Sequence, residues 1–146
     1  WGDPECQVVL PGLKNDYFDV VMNCINNKLG GVDLIEDDLY RVCVVGALRG
    51  YPGRHFSNRG REVFGIDKAL GVEGVEVYGS GLKFCDGRFF ADGGRLFSVV
   101  GCGRHVVDAR SKAYEAISMI SVDGNNLHFR GDIGFRDVER FYKGLS

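Results

Sequence analysis

The stretch VEVYGSGLKFCDGRFFADGGRLFSVV, residues 75–100, constrains the fold more than any other part of the chain. Short runs of valine, tyrosine, phenylalanine and leucine are cut at close intervals by glycine. Asp86-Gly87 is the kind of pair that a two-residue type I′ hairpin demands, because both of its central positions need positive φ. Asp92-Gly93-Gly94 supplies a second turn. The stretch therefore predicts an antiparallel meander of three or four strands in close succession. Glycine agrees with so many turns: it makes up 22 of 146 residues, about twice the usual ~7%.

Around this meander the sequence places helices. NDYFDVVMNCINNKL, residues 15–29, sets Phe18, Val21, Ile25 and Leu29, with Tyr17 and Cys24 beside them, on one helical face. Asn15 is the expected N-cap, Asp16 and Asp19 put negative charge on the first turn, Lys28 sits in the last, and Gly30-Gly31 is the expected stop. YRVCVVGAL is valine-rich and too short for a helix, so a strand is predicted at 40–48 and a long loop from there to about 65. That loop carries Arg49, Arg54, Arg59 and Arg61. DARSKAYEAISMI predicts a second helix with Asp108 as N-cap and Ala109, Ala113, Ala116, Ile117 and Ile120 facing the core. The end reads as a short strand, a turn and a last helical piece. The fold class expected is α+β: an antiparallel sheet flanked by helices.

Several functions are disfavoured. No apolar run approaches the ~18 residues of a membrane span, and a net charge of -2 disfavours general nucleic-acid binding. No export signal is visible, so a cytoplasmic protein is expected. Cys6, Cys24, Cys43, Cys85 and Cys102 form no close C-x-x-C pair and are expected to be reduced core residues. His55, His105 and His128 are not spaced as metal ligands. Neither a G-x-S-x-G elbow nor a G-x-x-x-x-G-K-[ST] loop is present. LFSVVGCGRHVVDARSKAYEAI imitates a dinucleotide motif, but Val106 stands at the third glycine position and the surrounding strands are antiparallel. The charged turns are what stands out: Asp3 and Glu5, then Arg49 with Tyr51 and Pro52, Lys83, and Arg95 after Gly93-Gly94. Arginine after paired glycines suits a phosphate, since bare backbone admits an anion and the guanidinium supplies parallel donors. From spacing alone, a plain turn followed by a solvated strand end is the commoner outcome.

Taken in order, several motifs resemble the phosphoribosylamine–glycine ligases, also called glycinamide ribonucleotide synthetases, which are ATP-grasp enzymes. GDPECQVVLP is similar to the family's G-D-P-E-T-Q segment, and the 15–29 helix to the one that follows it. GYPG is similar to its G-Y-P motif, and KFCDGRFFADGGRLFSVVG to K-x-x-D-G followed by G-G-R-V-L-x-V. ARSKAYEAI and FRGDIGFR resemble A-x-x-x-A-Y and R-x-D-I-G. The chain departs from the pattern at Cys6, Arg49 and Leu82, and in SVVGCG.

The resemblance implies the C-terminal third of such a ligase. Residues 1–36 would be the edge of the ATP-grasp domain with its connecting helix, and 37–146 the ligase C-terminal domain. A chain that opens on Trp1 is expected to be part of a longer one. The metal ligands, on an E-x-N-x-R strand, are expected upstream of Trp1, so no metal ligand is assigned within the chain. The implied reaction joins 5-phosphoribosylamine and glycine with ATP and Mg2+ (or Mn2+) in the complete enzyme, through glycyl phosphate. Asp3 would hold the attacking amine. Arg95 and Lys83 would bind the ribose phosphate, with Tyr51, Gly93 and Gly94 lining the pocket. The expected partners are the small-molecule substrates and the rest of the ligase chain, with neither nucleic acid nor membrane. A non-catalytic nucleotide- or protein-binding module on the same fold, or a related ATP-grasp carboxylase, is also compatible; the G-D-P-E opening and the R-x-D-I-G ending favour the ligase.

Overall fold

A run of valines and small residues along 40–48 produces a strand buried at 42–44 and again at 46–48. In the computed structural model, which describes residues 2–54 and 56–144, strand β1 spans Tyr40–Leu48 and buries Val42, Val44 and Leu48. Trp1, His55, Leu145 and Ser146, and the expectations attached to them, lie outside the described residues. β1 pairs antiparallel with β6 (Arg95–Gly103) from Tyr40↔Gly103 to Gly46↔Phe97. There the register slips, so that Ala47 faces Arg95 and Leu96 is left between. β3 (Val75–Gly79) lies on the far side of β6 and β8 (Leu127–His128) beside β1, giving the order β3-β6-β1-β8. A second antiparallel sheet has the order β4-β5-β2-β7, from Leu82–Cys85, Arg88–Ala91, Glu62–Phe64 and Ser121–Val122. The α+β class expected from the sequence is what the chain adopts.

Five helices accompany the sheets among the described residues: α1 (Cys6–Val9), α2 (Tyr17–Ile25), α3 (Ile66–Leu70), α4 (Val106–Ser118) and α5 (Phe135–Gly144). α4 lies across β6 and β1. Its contact face is Ala109, Ala113, Ala116 and Ile117, all with no exposed surface; alanine there lets the helix backbone approach the sheet.

The C-terminal segment is latched to α4 by polar groups. The Tyr114 hydroxyl donates to the Arg130 carbonyl (2.7 Å) and accepts from the Ile133 N–H (3.0 Å). Arg110 stacks 4.5 Å above the Tyr114 ring and donates to the carbonyls of Ile133 and Gly131. The A-Y and R-x-D-I-G stretches thus meet as two halves of one contact. Tyr114→Phe is expected to cost about 1–2 kcal/mol, read as a lowered urea midpoint.

The structure corrects several expectations. The first helix is shorter than 15–29. Its N-cap is Asp16, whose carboxylate accepts from the Phe18 and Asp19 N–H groups. Asn15 instead bridges the Asp33 carbonyl and the Ile35 N–H. Asn27, at φ 56°, turns the chain before Gly30-Gly31 is reached. Asp86 and Gly87 do take the positive φ values of the predicted hairpin. The meander, however, is divided: β4 and β5 belong to one sheet, and β3 and β6 to the other. The loop expected to reach residue 65 contains β2, an inner strand of the second sheet. α4 begins at Val106 with His105 as N-cap, so Asp108 lies inside the first turn, paired with Lys112 at 3.3 Å. All five cysteines are free, but only Cys43 is buried; Cys24 and Cys85 are exposed.

Candidate functional site

The residues singled out in the sequence converge on the end of β1 and the start of β6. After the Asp3-Pro4 turn, whose peptide bond is cis, helix α1 packs on β1 and β6. This carries Asp3 to the mouth of β6, where its Oδ2 lies 2.9 Å from a guanidinium nitrogen of Arg95. Both side chains are about half exposed, so the pair faces solvent. Gln7, one turn along α1, donates weakly to Asp3 Oδ1 at 3.5 Å.

Backbone bonds assemble the rest. The Leu48 N–H donates to the Gly94 carbonyl (2.8 Å), and the Tyr51 N–H donates to the Leu48 carbonyl (3.0 Å), so Tyr51 is held beside the Gly94-Arg95 turn. The Gly81 N–H donates to the Arg95 carbonyl (3.0 Å). Gly93 packs so closely on Gly81 that a Cβ on Gly81 would lie 2.6 Å from the Gly93 Cα. Close approach between two strands that enter different sheets accounts for glycine at 93. Lys83 is set apart: it stands on β4 opposite Phe90, in the second sheet, two residues beyond Gly81. Asp3 and Arg95 are therefore brought together after Gly93-Gly94, the Tyr51 backbone is tied to them through Leu48, and Lys83 stands apart in the second sheet.

The charged loop is tied at its root. The Arg49 N–H donates to the Asn126 carbonyl (2.7 Å), and the Asn58 amide donates to the Arg49 carbonyl (3.1 Å). Arg61 pairs with Asp123 at 3.3 Å.

A cleft of about 270 Å³ adjoins this cluster, lined among others by Glu5, Val8, Arg41, Cys43 and Asp137. Sequence reasoning passed over Arg41, because it lies in a strand and its partner Asp37 in an irregular connector, where a spacing of four carries no signal. In the structure the two form a bidentate pair at 2.6 and 2.7 Å. Hydrogen bonds from Arg41 hold the Asp37 carboxyl at about 2, against an ordinary 3.8. Because the folded value lies below the unfolded one, the pair's contribution to stability is complete above about pH 4 and is lost as pH falls through about 2. Asp37→Asn should therefore be less stable than the parent at neutral pH, with the two denaturation midpoints converging between about pH 4 and pH 2. At the cleft floor, burial pushes the Cys43 thiol up, and the nearby Asp3 and Glu5 carboxylates add to this, while a hydrogen bond with Ser98 opposes it.

Among the described residues, no group of three His, Cys, Asp or Glu side chains is placed to hold a metal ion. No helix among them is long and apolar enough to cross a membrane.

Residues 41–136 match the family model for the phosphoribosylglycinamide synthetase C domain. The chain belongs to this family. A phosphoribosylamine–glycine ligase of Caldanaerobacter subterraneus subsp. tengcongensis is 37% identical over 133 residues, which are 91% of this chain and 30% of that protein. The trifunctional purine biosynthetic protein adenosine-3 of Gallus gallus is 36% identical over 139 residues, 94% of this chain and 13% of that protein. The crystal structure of the phosphoribosylamine–glycine ligase of Thermotoga maritima superposes with a TM-score of 0.62 at 26% identity, covering 87% of this chain and 30% of that one. The chain thus spans less than a third of these synthetase relatives, and the motif resemblance read from the sequence leads to the same family as the comparisons.

Proposed function

We propose that this chain is the C-terminal part of a phosphoribosylamine–glycine ligase, which makes glycinamide ribonucleotide, ADP and phosphate from 5-phosphoribosylamine, glycine and ATP. The observation that carries the reading is the match across almost the whole chain to ligases of that name. Residues 1–36 then form the edge of an ATP-grasp domain with its connecting helix, and 37–146 the C-terminal domain. ATP and Mg2+ (or Mn2+) are held by the portion of the ligase outside this chain, and the enzyme works in the cytoplasm.

Within the reaction, a carboxylate is a poor acyl donor until one of its oxygens is phosphorylated. In glycyl phosphate the acyl carbon accepts attack by the phosphoribosylamine nitrogen, the bond to the phosphate oxygen breaks, phosphate departs with that electron pair, and the nitrogen gives up one proton to water. The chain's own residues bind and orient the amine partner. Asp3 accepts hydrogen bonds from the amine, and Arg95 donates to the ribose phosphate through guanidinium N–H groups that its contact with Asp3 leaves available. Asp3 and Arg95 are both about half exposed at one rim, which supports a single small molecule carrying an amine and a phosphate touching both. Lys83 adds positive charge at the rim, and Tyr51 lines the pocket.

The test grafts this chain in place of the aligned region of the Caldanaerobacter ligase and follows ADP release with all three substrates present. The chimera is expected to release ADP only when glycine and phosphoribosylamine are both supplied, and the isolated chain to release none. Substrate-dependent ADP release by the isolated chain, or a folded but inactive chimera, would overturn the reading.

A further inference from the structure

The segment that carries Asp3 is held at its two ends. From Pro4 to Gly12 the chain winds as one helical rod, α1 followed by a tighter turn at Leu10–Gly12, roughly 14 Å long at the ordinary rise. Its backbone bonds run from the Gln7 N–H on the Pro4 carbonyl (3.2 Å) to the Leu13 N–H on the Leu10 carbonyl (3.2 Å). α1 lies on β1 and β6, yet every residue of the rod except Gly12 keeps some exposure. A short rod with no buried side chain is weakly fixed by apolar packing, so the polar contacts at its ends decide where it sits.

At the front, Asp3 meets Arg95 at 2.9 Å in a half-exposed contact. The rear is a more sheltered clamp, in which the Arg41 and Asp37 side chains are only 11% and 12% exposed. Arg41 donates through two nitrogens to the Asp37 carboxylate (2.7 and 2.6 Å) and reaches the Pro11 carbonyl at 3.4 Å. The Asp37 N–H donates to the Gly12 carbonyl (2.9 Å), and the Leu39 N–H donates to the Asp37 carboxylate (3.2 Å). Glycine at 12 makes room for this, since a Cβ there would stand 2.9 Å from Arg41 Nη1. Rod, connector and β1 thus meet at one guanidinium.

We infer that Arg41 is a positioning residue: by fixing the rear of the rod it sets where Asp3 stands when the amine attacks; this rests on the function proposed above. In that reaction the substrate's phosphate takes up donors of Arg95 and its amine engages Asp3, so the front contact is shared with a ligand that comes and goes. The rear clamp is independent of the substrate. Its two parallel bonds fix direction as well as distance, so it resists tilting and sliding alike. A displacement of about 1 Å at a reacting group can cost on the order of 100-fold in rate, and the rod passes a shift at Gly12 on to Asp3.

Two measurements test this. In the isolated chain, hydrogen–deuterium exchange of the 6–13 amides should quicken by at least about tenfold in Arg41→Ala, while peptides from β1 and β6 stay protected. Gly12→Ala leaves the charge in place but sets a methyl against it, and should quicken the same amides. In the chimera, Arg41→Ala should lower kcat by about 10- to 100-fold and leave KM for ATP within about twofold. Arg41→Lys, which keeps the charge but not the fork, should fall between. In an Asp3→Asn background Arg41→Ala should cost no more than about twofold further, because the group it positions is already gone. Losses that multiply across the two positions overturn the inference, since Arg41 would then act apart from Asp3. So does unchanged exchange over 6–13. Exchange that quickens equally across β1 and β6 in both Arg41→Ala and Gly12→Ala overturns it too, since the pair would then be a support of the sheet. A chimera that carries the unaltered chain and lacks ligase activity counts against the proposed function instead, and exchange in the isolated chain still decides whether Arg41 fixes the rod.

Discussion

Replacing Arg95 by alanine in the grafted ligase is expected to raise KM for phosphoribosylamine by about 10- to 150-fold while leaving KM for ATP within about twofold. The magnitude follows from the loss of hydrogen bonds to a charged phosphate, about 1.5–3 kcal/mol, at about 1.4 kcal/mol per factor of ten. Arg95 also touches Asp3 at 2.9 Å, so alanine removes two things at once. Asp3→Asn separates them: it keeps the shape of the pair and leaves Arg95 its donors, so the loss should fall mainly on kcat. If Arg95 only positions Asp3, the two variants will share one kinetic profile with KM for phosphoribosylamine unchanged, and the phosphate assignment is lost. Arg95→Lys should recover part of the affinity, since it keeps the charge but not the planar fork.

The second large effect concerns folding. Gly101→Val is expected to destabilise the isolated chain by about 3 kcal/mol or more, lowering its melting temperature by roughly 10 °C. At Gly101 a Cβ would stand 2.5 Å from the Ala113 nitrogen and 3.1 Å from its Cα, and closer still to the Ala109 carbonyl oxygen. Those atoms are the backbone of α4, which cannot rotate aside as a side chain could. Relief requires lifting the helix from β6 and uncovering Ala109, Ala113, Ile117 and Val99, all with no exposed surface. Gly30→Ala is the matched control: nothing lies within 4 Å of the added methyl, and a change of no more than about 0.5 kcal/mol is expected. Equal melting temperatures for Gly101→Val and the parent would show that α4 does not rest on this strand as described.

Features legible in the sequence were those whose cause is local. Valine richness over a run too short for a helix marked β1 at the same limits, 40–48, that the structure has. The need for two positive φ values marked Asp86-Gly87, and the three-and-four spacing of alanine and isoleucine marked the buried face of α4. The misreadings arose where a second segment competed. Asn15 is as good an N-cap as Asp16 by residue type, but its amide is taken by the strap at Asp33 and Ile35, which leaves the cap to Asp16. Glu62–Phe64 is too short and charged to announce itself as a strand, and owes its place to neighbours on both sides, Phe89-Phe90 and Ser121-Val122. The sequence put Val21 on one apolar face with Phe18 and Ile25, whereas in α2 Val21 is half-buried and Phe18, Met22 and Ile25 are exposed; periodicity reports that a helix is apolar on one side and not what covers it.

The candidate site divides along the same line. The types of residue that suit an amine and a phosphate, Asp3 and Arg95, could be picked from the sequence, and so could the order of motifs that leads to the family. That the two side chains touch, that Tyr51 is tied to Gly94 through Leu48, and that Lys83 stands on the neighbouring sheet were decided only in three dimensions. By itself the sequence determined the strand, turn and helix preferences, the α+β class and the family, because these depend on side-chain chemistry within a few residues or on motif order. The tertiary structure decided the partition of the meander into two sheets, the outward face of α2 and the meeting of Asp3 with Arg95. Those depend on register and packing between segments distant in the chain, where the winning contact is the one whose neighbours leave it room.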